Sequence, residues 1–245
     1  MADRRLSHRG SYGLDAPYLL VLPLLLVVVL ALQGALTGAP WPFVGAAVVI
    51  VCTGFGLYAS TRGKFEVWAE LLDQLQLRGD EEILDLGCGR GAVLLSAAQH
   101  LTSGRAVGVD LWRRRDQSGN ALAQTRRNAA SEGVADKVEL ITGDIVDLPF
   151  ASSSFDRVLS SLVLHNLSNR GQRRALAEAV RVLRPGGRLL LVDLGAVGRY
   201  GRPLRDLGMR DVMVRNLGWR MWWTGPWLAT RFVSGVKCDE VDSTS

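Results

Sequence analysis

The chain has 245 residues, 48% of them hydrophobic, with 29 Lys and Arg against 24 Asp and Glu. That length suits one catalytic domain plus a small accessory segment, and the mild basic excess is no nucleic-acid signature. The three cysteines, Cys52, Cys88 and Cys238, form no CxxC pair, so their spacing points neither to a zinc site nor to a disulfide framework.

In chain order, a short basic tail (residues 1–16) comes first, and residues 17–60 then carry almost no charge. Pro17 to Leu36 and Trp41 to Ala59 are each close to the length of a bilayer crossing; about 20 residues at about 1.5 Å rise span a hydrocarbon core of about 30 Å. The connector Thr37-Gly38-Ala39-Pro40 allows only a tight hairpin. Arg4, Arg5 and Arg9 precede the first span, Arg62 and Lys64 follow the second, and the connector is uncharged. The positive-inside bias therefore places both termini and the following domain in the cytoplasm. Three other readings stay open. A cleaved signal peptide would explain the basic start, although a second span follows at once. Two buried soluble helices would need an amphipathic pattern that is missing. A hairpin that drives homo-oligomerisation would use the small residues Gly45, Ala46, Thr53, Gly54 and Gly56.

From residue 61 the pattern changes. Phe65, Trp68, Leu71, Leu72 and Leu75 recur at helical spacing. Apolar runs then alternate with helical stretches: strands at 82–86, 105–110, 138–142, 155–160 and 188–193, helices at 92–100, 121–132 and 173–183. Such alternation implies an α/β fold with a mostly parallel, Rossmann-like sheet covered by helices. Residues 202–208 predict a short helix, and 210–217 with 231–236 a C-terminal antiparallel strand pair. Between those strands lie Trp219, Trp222, Trp223 and Trp227, read as a loop that lines an apolar pocket or meets a membrane interface. The domain closes at 238, and 239–245 read as a disordered tail.

The stretch Asp85-Leu86-Gly87-Cys88-Gly89-Arg90-Gly91-Ala92 joins a strand to a helix. Glycines there give a tight turn and close approach of backbone to ligand. Gly87, Gly89 and Ala92 also fit a dinucleotide fingerprint. Asp85 argues against that reading, since a carboxylate beside the loop repels a pyrophosphate and suits a cationic ligand such as S-adenosylmethionine. Asp110, ending the second strand, is placed to accept from ribose hydroxyls, with a helix cap as its plain alternative. Asp144 after the third strand can accept from an adenine amine or simply close a turn. His165, after the fourth strand, is the candidate base for an acceptor proton; a histidine bound to backbone is the competing reading.

The segments EILDLGCGRG (82–91), GVD (108–110), TGDIVDLPF (142–150), SFDRVLSS (154–161) and LRPGGRLLLVD (183–193) together resemble the class I S-adenosylmethionine-dependent methyltransferases, the branch acting on quinones, sterols and other small molecules. The resemblance covers residues 64–237. It implies S-adenosyl-L-methionine as cofactor, with Asp85, Gly87, Cys88 and Gly89 around the methionine moiety and Asp110 on ribose. Leu111, Asp144 and Ile145 would lie at adenine, with Ser161 as a further cofactor contact. Two departures stand out. The stretch 111–120 is longer and more basic than usual, read as a lid, a lipid-facing loop or a solvated one. The hairpin is foreign to the common soluble pattern. Together the domain and the hairpin predict a membrane-bound enzyme methylating a hydrophobic small molecule. A non-catalytic binding scaffold and a nicotinamide-dependent oxidoreductase are the alternatives.

Overall fold

A computed structural model describes residues 8–14, 18–113, 119–195 and 199–238, with the backbone alone for 18–20. The tail at 239–245 and the centre of the basic stretch 111–120 lie outside the described residues. Apolar β-branched and leucine-rich runs form the strands β1 (Glu82–Leu86), β2 (Arg105–Asp110), β3 (Val138–Thr142), β4 (Phe155–Ser161) and β5 (Leu183–Leu194). These five are parallel. The strands β6 (Met209–Asn216) and β7 (Thr230–Lys237) complete one sheet in the order β3-β2-β1-β4-β5-β7-β6, with β7 antiparallel to both neighbours. The order reverses between β1 and β4, which is where an open α/β sheet offers its ligand crevice, outside the carboxyl ends of the strands.

Alternate side chains of each strand enter opposite layers. Ile83, Leu159, Leu190 and Val192 pack with Trp68, Leu71, Leu94 and Leu95, on the face covered by α3 (Lys64–Leu75) and α4 (Ala92–Ala98). Leu84, Val158, Leu189 and Leu191 pack with Leu176, Ala179 and Leu204, on the face covered by α6 (Asn169–Val182) and α7 (Gly201–Asp206). Between β2 and β3 runs α5 (Leu122–Glu132). The predicted strand pair at the C-terminus is present as β6 and β7. The fifth strand differs from its predicted range. It begins at Leu183 and takes in Pro185, Gly186 and Gly187; a register shift opposite Phe155 accommodates them.

At the N-terminus, α1 (Tyr18–Thr37) and α2 (Trp41–Tyr58) form the expected antiparallel pair. The second helix does not stop where the sequence suggests. A π-helical turn at Ala59–Gly63 carries it into α3, giving one helix from Trp41 to Leu75. Arg62 and Lys64 resemble a boundary in the sequence, yet Gly63 and Lys64 are buried, so no linker separates hairpin from domain. Among the described residues, this helix alone is long and apolar enough to cross a membrane by length and composition, and Val21–Thr37 is a shorter apolar helix.

The direction of that long helix matters. Trp68, in its second half, donates from Nε1 to Oγ of Ser161, the last residue of β4, at 3.0 Å. Six residues after α3 ends, β1 begins. Hence α3 runs from the carboxyl edge of the sheet to its amino edge, and the hairpin projects beyond the carboxyl edge. The β6–β7 connection lies at the same edge, because Thr230 pairs with Leu194, the final residue of β5. Three of its four tryptophans are docked, while Trp227 is 70% exposed. The ring of Trp222 meets Phe55 at 5.4 Å, that of Trp219 meets Tyr58 at 5.2 Å, and Trp223 is buried. Gly56 and Gly63 allow this contact: a Cβ would lie 2.4 Å from the Trp223 carbonyl oxygen and 1.9 Å from that of Arg220. A bidentate pair, Arg220 to Glu70, fastens the loop to α3.

The chain before α1 is also docked. Oε1 of Glu132 accepts from the Arg9 and Gly10 amides and the Tyr12 hydroxyl, each at 2.9 Å. Tyr12 enters the core beside Phe65. Residues 8–14, read from sequence as tail, are thus a strap across α5.

Candidate functional site

The glycine loop leaves β1 through three left-handed residues, Gly87 (φ 68), Gly89 (φ 51) and Gly91 (φ 87). Side-chain-bearing residues rarely adopt this region. The Gly87 and Cys88 amides donate to the Val109 carbonyl at 2.7 and 3.2 Å, and the Gly89 amide donates to Asp110 Oδ2 at 2.9 Å. Thr125 of α5 closes the far side by donating to the Gly89 carbonyl at 2.7 Å. Position 87 must be glycine for a second reason: its missing Cβ is replaced by the Val163 side chain. The loop after β4, which carries His165, therefore leans directly on the glycine loop.

Asp85 is 1% exposed at the base of this loop, and its Oδ1 has no hydrogen-bond partner. Burial, opposed only by the Leu94 amide, pushes its carboxyl well above the usual carboxylate range, and the Asp110 charge adds to the shift. A buried acid with an orphaned oxygen calls for a donor or a cation. Asp110 is held by three protein donors. Its Oδ2 holds the Gly89 amide, and its Oδ1 accepts from the Trp112 amide at 2.5 Å and from Asn120 Nδ2 at 3.3 Å. Four lone-pair sites on a carboxylate leave room for one hydroxyl donor. Asn120 adds another acceptor, since its buried Oδ1 is also unpartnered. The sequence did not single it out.

The other expected residues divide. Leu111 stands half-exposed next to Asp110, open to a planar partner. Ile145 is buried in the core. Oδ1 of Asp144 accepts from the Val146 amide at 3.1 Å, the turn role weighed against adenine binding, with a second oxygen still available. Cys88 points its thiol into the space over Gly108, beside Leu94. Its amide and carbonyl are taken by Val109 and Gly91, so its place is structural packing. Ser161 accepts from Trp68, which fixes α3 to the end of β4. Two non-glycine residues sit in the left-handed region at this edge, Trp112 (φ 56) after β2 and Leu162 (φ 58) after β4. Strain of this kind persists where surrounding structure enforces it, and it gathers at ligand sites.

His165 is not a histidine bound to backbone through its ring. Its Nδ1 lies 2.5 Å from Asp193 Oδ1, while its own amide donates to Asp193 Oδ2 at 3.0 Å. Asp193 is 1% exposed and also accepts from the Leu194 amide at 2.7 Å. A carboxylate only accepts, so Nδ1 carries the proton, and in the neutral ring Nε2 presents a lone pair. Among the described residues nothing else binds Nε2. The buried charge of Asp193 is felt by Tyr200, whose hydroxyl is pushed up, chiefly by burial and further by that carboxylate. Asp193 was not assigned from sequence, though the signal was there: like Asp110, it ends an apolar strand with an acid.

The four carbonyl-end features of β1, β2, β4 and β5 thus converge at one edge, beneath the hairpin. Residues 83–187 match the family model described as a methyltransferase domain. The chain is 35% identical over 133 residues to the demethylmenaquinone methyltransferase of Symbiobacterium thermophilum, covering 54% of this chain and 50% of that protein. It is 30% identical to the ubiquinone/menaquinone biosynthesis C-methyltransferase UbiE of Roseobacter denitrificans, covering 56% and 57%. The chain spans about half the length of these curated relatives. Among solved structures, the [4+2]-cyclase SpnF superposes with a TM-score of 0.59 at 18% identity, over 71% of this chain and 82% of that one. The geranyl diphosphate C-methyltransferase of Streptomyces coelicolor gives 0.57 at 17%, over 73% and 81%. At such identities these two establish the shared fold alone, and a fold hosts many chemistries.

Proposed function

We propose that this chain is an S-adenosylmethionine-dependent methyltransferase, and that it works at a membrane on a lipophilic acceptor with an ionisable hydroxyl, of which quinols are the best-supported class. The observation that carries the reading is directional: the apolar hairpin and the tryptophan loop leave the domain from the edge that holds Asp85, Asp110 and His165. The quinone-methylating relatives support the acceptor class.

The residues present fit the cofactor. The orphaned oxygen of Asp85 suits its cationic end, and Asp110 with Asn120 offers acceptors for ribose hydroxyls. When bound, S-adenosylmethionine supplies an electrophilic methyl carbon on a sulfonium. The chain then has to align an acceptor, exclude water and take away one proton. Nε2 of His165 is the group to accept that proton. Asp193 holds the ring in the right tautomer and stabilises the imidazolium that forms, as a buried acid does for a histidine base elsewhere. Removing a phenolic proton activates either the oxygen or the ring carbon beside it, so this arrangement serves O- and C-methylation alike.

In this reading the hairpin spans the bilayer. Both its ends are docked on one domain, through Tyr12 before α1 and through α3 after α2. Both termini therefore lie on the domain's side, and the positive-inside bias makes that side cytoplasmic. The test is full-length protein in nanodiscs. Calorimetry should give binding of S-adenosylhomocysteine and none of NADH, and labelled methyl donor should transfer label to a quinol. Binding of NADH alone overturns the reading. Cofactor binding without transfer to any lipid-soluble fraction would favour a non-catalytic scaffold.

A further inference from the structure

The hairpin and the tryptophan loop enclose an apolar cavity of about 430 Å³, within the range of small-molecule sites. Leu22, Leu26 and Val49 line its outer part. Ser60 and Trp223 close it on the side of the domain. Trp223 is 4% exposed, and its Nε1 has no acceptor. A buried indole N–H normally finds a partner. From Ser60 the helix continues over Lys64 to Trp68, which touches Ser161 at the carboxyl end of β4. Eight residues of helix amount to about 12 Å, the span between the domain end of the cavity and the carboxyl end of β4.

We infer that this cavity holds the proximal hydrocarbon chain of the methyl acceptor, with Trp223 Nε1 donating to an oxygen of the ring that carries the chain. The inference rests on the proposed methyltransferase function and specifies how that same site selects its substrate. Three observations favour this occupant. The walls are almost wholly apolar, as a prenyl or alkyl chain requires. One unpartnered donor sits at the domain end, where a headgroup would begin. The cavity also lies on the edge that bears His165. A bilayer acyl chain would match the walls, yet it would bring its ester oxygens to the headgroup level of the membrane and carry nothing toward His165.

The experiment uses the full chain in dioleoylphosphatidylcholine nanodiscs, where phospholipid is already in large excess. The probe is a farnesyl hydroquinone bearing a diazirine on its chain. Adducts are expected at Leu22, Pro23, Leu26, Val49, Cys52 and Trp223, displaced by unlabelled farnesyl hydroquinone. Leu26→Trp fills the cavity and Trp223→Phe removes the donor while keeping the ring. Each should lower labelling, the first by about tenfold, a loss ordinary for a blocked apolar subsite, with S-adenosylhomocysteine affinity unchanged. Adducts spread over the outward residues Leu24, Leu25, Val28 and Val29, or labelling untouched by competitor and by both variants, would overturn the inference and assign the cavity to phospholipid. Labelling needs no turnover. Adducts in the cavity without methyl transfer would therefore sink the enzymatic reading and leave the site standing, whereas transfer to chain-free and chain-bearing quinols at equal KM, with label elsewhere, would do the reverse.

Discussion

The strands of the sheet and the helices of the hairpin are built from the same residues, Leu, Val, Ile and Ala, and the fold treats them in opposite ways. Ile83 and Leu84 in β1 are 0% exposed, whereas Leu22 and Leu24 in α1 are each 62% exposed. In water the second pattern would be costly, because each exposed side chain forgoes the stabilisation that burial brings. Two helices that stay together while showing apolar side chains outward are suited to a hydrocarbon surround. The sheet, in contrast, keeps the unpartnered oxygen of Asp85 near its carboxyl end, the end turned toward the hairpin.

The largest effect expected from this contrast is catalytic. Asp193→Asn should lower turnover about 10²–10⁴-fold by releasing the His165 ring from its tautomer. Cofactor affinity should be unchanged, and raising the pH should restore part of the rate as hydroxide replaces the base. A variant with full activity at neutral pH would remove Asp193 as a positioning residue. Next comes the core of the sheet, where Leu84→Ala should cost about 2–5 kcal/mol in denaturant unfolding. At the junction of the two regions, Gly63→Ala would drive a methyl into the Arg220 carbonyl, and an overpacked contact of this kind costs about 1–3 kcal/mol. Its melting temperature is the readout, and an unshifted value would mean that the loop does not rest on the helix.

A smaller effect concerns pH. Because burial raises the Asp85 carboxyl in the folded chain, the protonated group favours folding. That contribution is complete below the ordinary carboxylate range and is lost as pH rises through the elevated value. The melting temperature of the ligand-free protein should therefore decline over that window, and Asp85→Asn should flatten the decline. A cationic ligand needs the ionised form, so S-adenosylmethionine affinity should fall as pH is lowered. The smallest effect closes the comparison. Leu24→Ala in nanodiscs should change stability by less than about 0.5 kcal/mol, as for an outward residue without packing partners. A loss comparable to that of Leu84→Ala would show that α1 is packed against protein.

Much of the sheet was legible from sequence, because parallel strands are unbroken apolar runs and glycines punctuate the first turn. Asp110 was found because it ends such a run, Asp85 because it stands two residues before the first glycine, and His165 because it follows the fourth strand. What escaped depends on elements far apart in the chain. The partner of His165 is 28 residues away, and Asn120 gains meaning only when folded back on Asp110. Trp68 looked like one more core residue, since periodicity reports burial and says nothing of an indole reaching Ser161. The unbroken helix from Trp41 to Leu75 was hidden by Arg62 and Lys64, which sit at the junction and look like an end. Residues 8–14 lack any periodic pattern, and they are held by groups on other elements, Glu132 and Asn128 of α5 and Arg90 of the glycine loop.

That strap has a geometric consequence. A domain tied to a membrane by one flexible stem keeps its height but swivels freely. Here two points of attachment, the Glu132 clamp ahead of α1 and the rigid passage of α2 into α3, lie on opposite sides of the hairpin's base in the chain. Two fixed points define an angle as well as a position. Under the proposed membrane placement, the mouth of the domain faces one way, and an acceptor diffusing in two dimensions would meet it already turned toward the plane in which it moves.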